Sequence, residues 1–249
     1  MHKNFHLSHA ISIKRCKFGY TIKFNIMARF TRIQVATTMA ETGLVPVFYH
    51  KDAEVCKNVI KACYKGGIRV FEFTNRGDYA NEVFSEITKW AATETPELII
   101  GAGTIIDAPT AALYIQAGAN FIVSPLLNAE VAKVCNRRKI AWSPGCGTLS
   151  EISYAEELGA EIIKIFPGTT VGGPEFVKAV KGPCPWTSIM PTGGVEPTEE
   201  NLKKWFKAGV TCVGMGSNLF PSGIIENKNW EYITDACSSA LTLIKSLRA

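Results

Sequence analysis

Along this chain, short continuous apolar runs rich in Val, Ile and Phe alternate with longer segments in which apolar positions recur every three to four residues. The change from helical to strand spacing follows one local pattern. A helical segment ends in glycine, and a β-branched run begins shortly after it: Gly67-Ile-Arg-Val-Phe, Gly118-Ala-Asn-Phe-Ile, Gly159-Ala-Glu-Ile-Ile and Gly209-Val-Thr-Cys-Val. Glycine just past a helix takes the left-handed conformation that stops it, and an apolar run suits a strand buried on both faces, as in a parallel sheet. Reading outward from these junctions predicts strands at 44–49, 70–74, 98–102, 121–124, 140–143, 161–166, 188–192 and 212–215. Amphipathic segments lie between them at 54–64, 79–92, 129–137 and 199–207, with a last one at 230–247. Strands at roughly 20- to 30-residue intervals with helices between them predict a (β/α)8 TIM barrel, and a short helix over about 29–42 would close its bottom. The competing open doubly wound sheet lacks its marker, because no Gly-x-Gly-x-x-Gly opens the first crossover helix.

Length and composition change this picture little. A chain of 249 residues, 47% hydrophobic and 20% charged, can bury one core, and α/β barrels of this size are commonly one domain. The formal charge of +5 has a local origin: residues 1–26 hold Lys3, Lys14, Arg15, Lys17 and Lys23 and no Asp or Glu. They are read as a basic N-terminal extension, disordered or upstream of a true start at Met27, and 27–249 as the barrel domain. Basic charge gathered in a flanking segment, and not on a face of the domain, argues against a nucleic-acid partner. The eight cysteines form no Cys-x-x-Cys pair and several sit in apolar runs, as buried thiols of a reducing cytoplasm do. No apolar run approaches the roughly 18 residues of a membrane span, so no membrane partner is expected.

In a barrel of this kind, chemistry belongs at the carboxyl ends of the strands. Alternation in Ile162-Ile163-Lys164-Ile165-Phe166-Pro167 puts Ile162, Lys164 and Phe166 on one face, so the lysine is either a desolvated amine or half of a structural salt bridge. In Val70-Phe71-Glu72-Phe73-Thr74-Asn75-Arg76 the same alternation aligns Glu72, Thr74 and Arg76, either as convergent functional groups or as an internal Glu72–Arg76 ion pair. Glycine-rich strand ends occur at Gly101-Ala-Gly103-Thr104, Pro191-Thr-Gly193-Gly194 and Gly214-Met-Gly216-Ser217. The last two follow strands seven and eight, where such folds often bind phosphate through backbone N–H groups. His2, His6 and His9 lie in the extension, leaving His50 in the domain, and Gly-x-Ser-x-Gly, His-Glu-x-x-His and P-loop motifs are missing. Metal, hydrolase and NTPase chemistries thus lack their residues, and neither a metal nor a cofactor is expected.

Taken in order, Glu72-Phe-Thr-Asn-Arg76, Gly101-Ala-Gly-Thr104, Ser124-Pro125, Pro144-Gly145, Lys164-Ile-Phe-Pro167, Pro191-Thr-Gly-Gly194 and Gly216-Ser217 resemble the class I 2-keto-3-deoxy-6-phosphogluconate and 4-hydroxy-2-oxoglutarate aldolase family, from about residue 29 to the C-terminus. The resemblance implies Lys164 as the Schiff-base lysine and Glu72 as the acid/base. It implies Arg76 and Thr104 as carboxylate binders, Pro125 and Phe166 as walls around the pyruvate methyl, and Gly193, Gly194, Gly216 and Ser217 as the phosphate site. It also implies a homotrimer. Leu126, Cys146-Gly147 and Gly168 depart from the family's usual residues, and none of them is a residue of the implied chemistry. Cleavage of the galactonate epimer, or a phosphate-sugar-binding barrel without aldolase activity, stays open as an alternative at this stage.

The implied mechanism makes one demand that can be sized. A lysine near its ordinary pKa of about 10.4 is roughly 0.1% neutral at pH 7.4, so lowering it by some three units, at about 4 kcal/mol, would expose the nucleophile.

Overall fold

The computed structural model describes residues 28–221 and 223–248. The extension at 1–26 lies outside them. All four glycine junctions carry positive φ (Gly67 98°, Gly118 104°, Gly159 83°, Gly209 98°), so each helix ends where a residue without a β-carbon can turn the chain back into the sheet. At the opposite end of the strands most helices open on a short polar residue. The side chains of Asp52, Asp107, Asn128, Thr148 and Thr198 each accept a backbone N–H of the first turn, which fixes where each strand-to-helix loop ends.

Helix α1 (Arg32–Thr42) precedes β1 (Leu44–Phe48), and strands and helices then alternate: α2 (Ala53–Lys65), β2 (Val70–Thr74), α3 (Ala80–Glu94), β3 (Ile99–Gly103), α4 (Ala108–Gln116), β4 (Phe121–Val123), α5 (Ala129–Arg138) and β5 (Ala141–Ser143). After β6 (Gly145–Cys146) come α6 (Leu149–Glu157), β7 (Ile163–Ile165), α7 (Gly173–Lys181), β8 (Ile189–Pro191), α8 (Glu199–Lys207), β9 (Val213–Met215) and α9 (Trp230–Arg248). Every strand pairing is parallel.

One continuous eight-stranded ladder was expected; the chain instead forms a six-stranded sheet in the order β5-β4-β3-β2-β1-β9, a half-barrel, and a three-stranded sheet β6-β7-β8. Pro144 is the physical reason. It has no N–H to donate and divides the predicted strand 140–143 from its continuation, so β5 pairs with β4 while β6 pairs with β7. The predicted strand 161–166 also shortens to Ile163–Ile165, because Glu161 is drawn outward to an ion pair with Arg32 (2.6 Å).

Two apolar layers result. The outer one lies between the strands and their helices. The inner one joins Val45, Val70, Ile99, Phe121, Ala141, Ile162, Met190 and Cys212, each near the start of its strand, and Val35 and Met39 of α1 seal it from below. The short closing helix therefore sits where the sequence put it, though it starts at Arg32. Among the described residues all seven cysteines are free thiols, six of them buried, and no helix is long and apolar enough to cross a membrane.

Candidate active site

Lys164 and Glu72 meet inside the sheet. On β7, Ile163 and Ile165 point to the outer layer and Ile162 to the inner one, so Lys164 faces inward, as its alternation required. On β2, Phe71 and Phe73 face out and Val70 in, which turns Glu72 to the same interior. Lys164 Nζ lies 3.9 Å from Glu72 Oε1, and 5% and 0% of the two residues are exposed. That is beyond hydrogen-bonding distance, and neither oxygen of Glu72 has a partner among the described residues. The hydroxyls of Ser124, Ser143 and Thr192 are also buried without one. Buried polar atoms normally find partners within the protein, so the free carboxylate oxygens of Glu72 beside Lys164 mark a place that offers hydrogen bonds to something else. Lys164 Nζ also stands 4.9 Å from the centroid of the Phe166 ring.

The electrostatics of the pair follow from burial. Desolvation raises the Glu72 pKa above its ordinary value, and the positive charges of Lys164 and Arg76 draw it back without cancelling the rise. Glu72 is therefore a carboxyl that can hold or release a proton nearer neutrality than a surface glutamate can.

Beyond the pair, toward the carboxyl ends of the strands, opens a cleft of about 400 Å³. Thr74 and Phe166, each two residues along the inner face from Glu72 and Lys164, form its lower wall. Arg76, exposed, lines it past the end of β2, and Gly193, Gly194, Gly216 and Ser217 line it past the ends of β8 and β9. The glycine side is held by the loop after β7, where Gly168 N–H donates to Thr192 O (2.9 Å) and Thr169 N–H to Gly193 O (3.2 Å). Six of the ten residues singled out in the sequence thus line one cleft, and Lys164 with Glu72 lies directly beneath it. Thr104 and Pro125 are not on its wall; they stand past the ends of β3 and β4. Arg76 is not the internal partner of Glu72, whose paired cation is Lys164.

Comparison with known proteins agrees with this geometry. Residues 35–236 match the family described as "Aldolase: KDPG and KHG aldolase". The chain belongs to that family and is a carbon–carbon lyase. It is 34% identical over 215 residues to the 2-dehydro-3-deoxy-phosphogluconate aldolase of Pseudoalteromonas atlantica, covering 86% of this chain and 97% of that one. It is 33% identical to the KHG/KDPG aldolase of Escherichia coli K12, covering 83% and 94%. Among solved structures it is similar to KDPG aldolase from Legionella pneumophila, captured with pyruvate as a covalent carbinolamine intermediate. That likeness has a TM-score of 0.75 and 30% identity over 83% of this chain and 98% of that one.

Within this aldolase the first glycine-rich motif has a packing role. A β-carbon at Gly101 would enter the Phe121 ring, and one at Gly103 would collide with Glu72 Oε1. Both glycines make room on β3 for an inward group from a neighbouring strand. Gly103→Ala is therefore expected to displace the Glu72 carboxylate and lower turnover by about 100-fold, the scale of an ångström-sized misplacement, in a chain that still folds. Turnover and thermal midpoint measured together check this, and normal turnover would show that the carboxylate has room to spare.

Sequence reading assigned nothing to β1, yet Val47, Phe48 and Tyr49 line the cleft, as do Thr192 and Asn218. The available signal was position alone: each lies at or just past the carboxyl end of a strand. Phe48 and Tyr49 were hidden because an aromatic strand end reads equally well as core.

Proposed function

We propose that this chain cleaves 2-keto-3-deoxy-6-phosphogluconate to pyruvate and glyceraldehyde 3-phosphate through a Schiff base on Lys164, with Glu72 as acid/base. The observation that carries this reading is the buried Lys164–Glu72 pair beneath the cleft, with both carboxylate oxygens free of partners. The Nζ lone pair attacks the keto carbon, and loss of water leaves an iminium. Glu72 takes the proton of the C4 hydroxyl, the C3–C4 bonding electrons move into the iminium, and the aldehyde departs. Glu72 returns the proton to C3 of the enamine, and water releases pyruvate. A carboxyl with a raised pKa suits both halves of that exchange.

Arg76 and Thr104 bind the substrate carboxylate in this reading, and Pro125 and Phe166 enclose the pyruvate methyl. The phosphate lies at Gly193, Gly194, Gly216 and Ser217. Its support is that Gly193 and Gly194 take positive φ (96° and 74°) and share the cleft with Ser217. The strands close as a (β/α)8 barrel. One inner apolar cluster draws a residue from each of the eight expected strands, and a bridge pairs Thr192 after β8 with Gly214 on β9. The enzyme works as a cytoplasmic homotrimer, in which the exposed Ile106 and Leu126, on loops joined by the Asn128 side chain donating to Ile106 O (3.0 Å), would be covered. 4-Hydroxy-2-oxoglutarate, which shares the pyruvate half, is a second substrate.

Pyruvate release from a panel of phosphorylated and plain 2-keto-3-deoxy acids tests this reading, with the phosphogluconate derivative expected to turn over fastest. In Ser217→Asp the specificity constant for phosphorylated substrates is expected to fall at least tenfold more than that for 4-hydroxy-2-oxoglutarate, because a carboxylate there repels the phosphate alone. Equal losses would put the phosphate elsewhere.

A further inference from the structure

Arg76 sits in the five-residue segment 75–79 between β2 and α3, which two tyrosines of the fold hold. Tyr114 of α4, 1% exposed, donates its hydroxyl to Asn75 Oδ1 at 2.8 Å. The ring of Tyr114 ends an aromatic row, Tyr49–Phe73–Phe84–Tyr114, with centroids 5.6, 5.7 and 5.0 Å apart, so the hydroxyl is held in place by packing on both β2 and α3. Burial pushes that hydroxyl up to about 12, which keeps it a donor at any working pH. Tyr49 closes on Gly77: a β-carbon at Gly77 would lie 2.9 Å from the Tyr49 hydroxyl, and its φ of 87° turns the chain away. The same Asn75 uses its backbone N–H to donate to Gly103 O at 2.8 Å. Gly103 precedes Thr104, which holds a φ of 60°, a conformation that a β-branched residue adopts only when its surroundings enforce it.

Asn75 therefore ties together the two chain segments whose next residues are Arg76 and Thr104. We infer that Tyr114 and Asn75 are positioning residues: through the Tyr114–Asn75–Gly103 clamp they fix Arg76 and Thr104 relative to one another, so that the substrate carboxylate meets a preformed site. The inference rests on the assignment of Arg76 and Thr104 as carboxylate binders. A long arginine on a free turn would lose rotamer and backbone freedom on binding, and ordering it beforehand leaves more of the contact energy for affinity.

Steady-state constants for 2-keto-3-deoxy-6-phosphogluconate in Tyr114→Phe, Arg76→Ala and the double variant provide the test. Tyr114→Phe removes one oxygen and leaves the aromatic row intact. Its KM is expected to rise roughly three- to tenfold, the scale of one hydrogen bond, with kcat within about twofold. Asn75→Ala, at a half-buried position, is expected to give the same rise by removing the acceptor instead. Arg76→Ala should lower kcat/KM further still, and in that background Tyr114→Phe should add much less than in the native chain, since one of the two residues it positions is gone. A purely structural role would lower the thermal midpoint and act equally in both backgrounds; that additivity, an unchanged KM in Tyr114→Phe, or a loss confined to kcat overturns the inference. If Arg76→Ala is impaired while Tyr114→Phe is normal, the clamp alone is wrong. If Arg76→Ala itself leaves KM unchanged, the carboxylate assignment falls and the clamp with it.

Discussion

Pyruvate followed by borohydride is expected to inactivate the enzyme irreversibly, with the added three-carbon unit on Lys164. Reduction converts the iminium to a secondary amine that water cannot open. The site of labelling is decided by surroundings: among the described residues Lys164 is the one buried lysine, with isoleucines on either side, the Phe166 ring at 4.9 Å and a carboxyl at 3.9 Å that can exchange its proton. Surface lysines have no such acid/base partner held out of water. Lys164→Met should lower turnover by about 10,000-fold or more, since every later step needs the covalent nitrogen as its electron acceptor. Peptide mass mapping locates the adduct. An adduct at another lysine, or substantial turnover in Lys164→Met, would remove the central assignment.

Glu72→Gln is expected to cut turnover by roughly 100- to 10,000-fold, the range of a lost general base, while leaving the chain as stable as before or more so. The second half of that expectation comes from the sign of the Glu72 pKa. Burial raises it in the folded state above the ordinary value near 4.5, so the folded protein binds this proton more tightly than the unfolded one. Stability from this group is then full below the unfolded pKa and declines as pH rises through the raised folded pKa. Glutamine has no proton to lose, so the decline vanishes in the variant, and its advantage over the native chain should grow across that window and level off above it. Denaturant midpoints over a pH series, with turnover from the same preparations, measure both effects. A destabilised Glu72→Gln with normal turnover per folded molecule would mean that the Lys164–Glu72 pair is a structural salt bridge and nothing more.

Much of this was legible in the residues themselves. The four glycine junctions, the places of the eight expected strands and the closing helix came from local pattern, and so did the inward direction of Lys164, Glu72 and Thr74; the division of the fifth into β5 and β6 did not. Each depends on a few consecutive residues: a positive φ that only glycine adopts cheaply, or an alternation that two neighbours suffice to fix. Strand length was less legible. Glu161 reads as part of a strand until its partner Arg32, far along the chain, pulls it out. Likewise Pro144 was visible as a motif residue, but that it moves the fifth strand from one ladder to the other depends on which strands lie on either side.

The sequence by itself determined the parallel α/β character, the alternation of strands with helices and the direction of Lys164 and Glu72, because those are properties of short stretches of backbone. Only the tertiary structure decided which inward groups meet. It paired Glu72 with Lys164 and sent Arg76 out to the cleft, although alternation places Arg76 on the same face as Glu72. It showed that Gly101 and Gly103 leave space for Phe121 and Glu72, and it brought Tyr114 from a helix to the turn beside Arg76. The reason is that separations across a sheet are set by twist, stagger and the volumes of facing side chains, which are sums over many strands. No single strand carries that information, so a residue's direction can be read locally while its partner cannot.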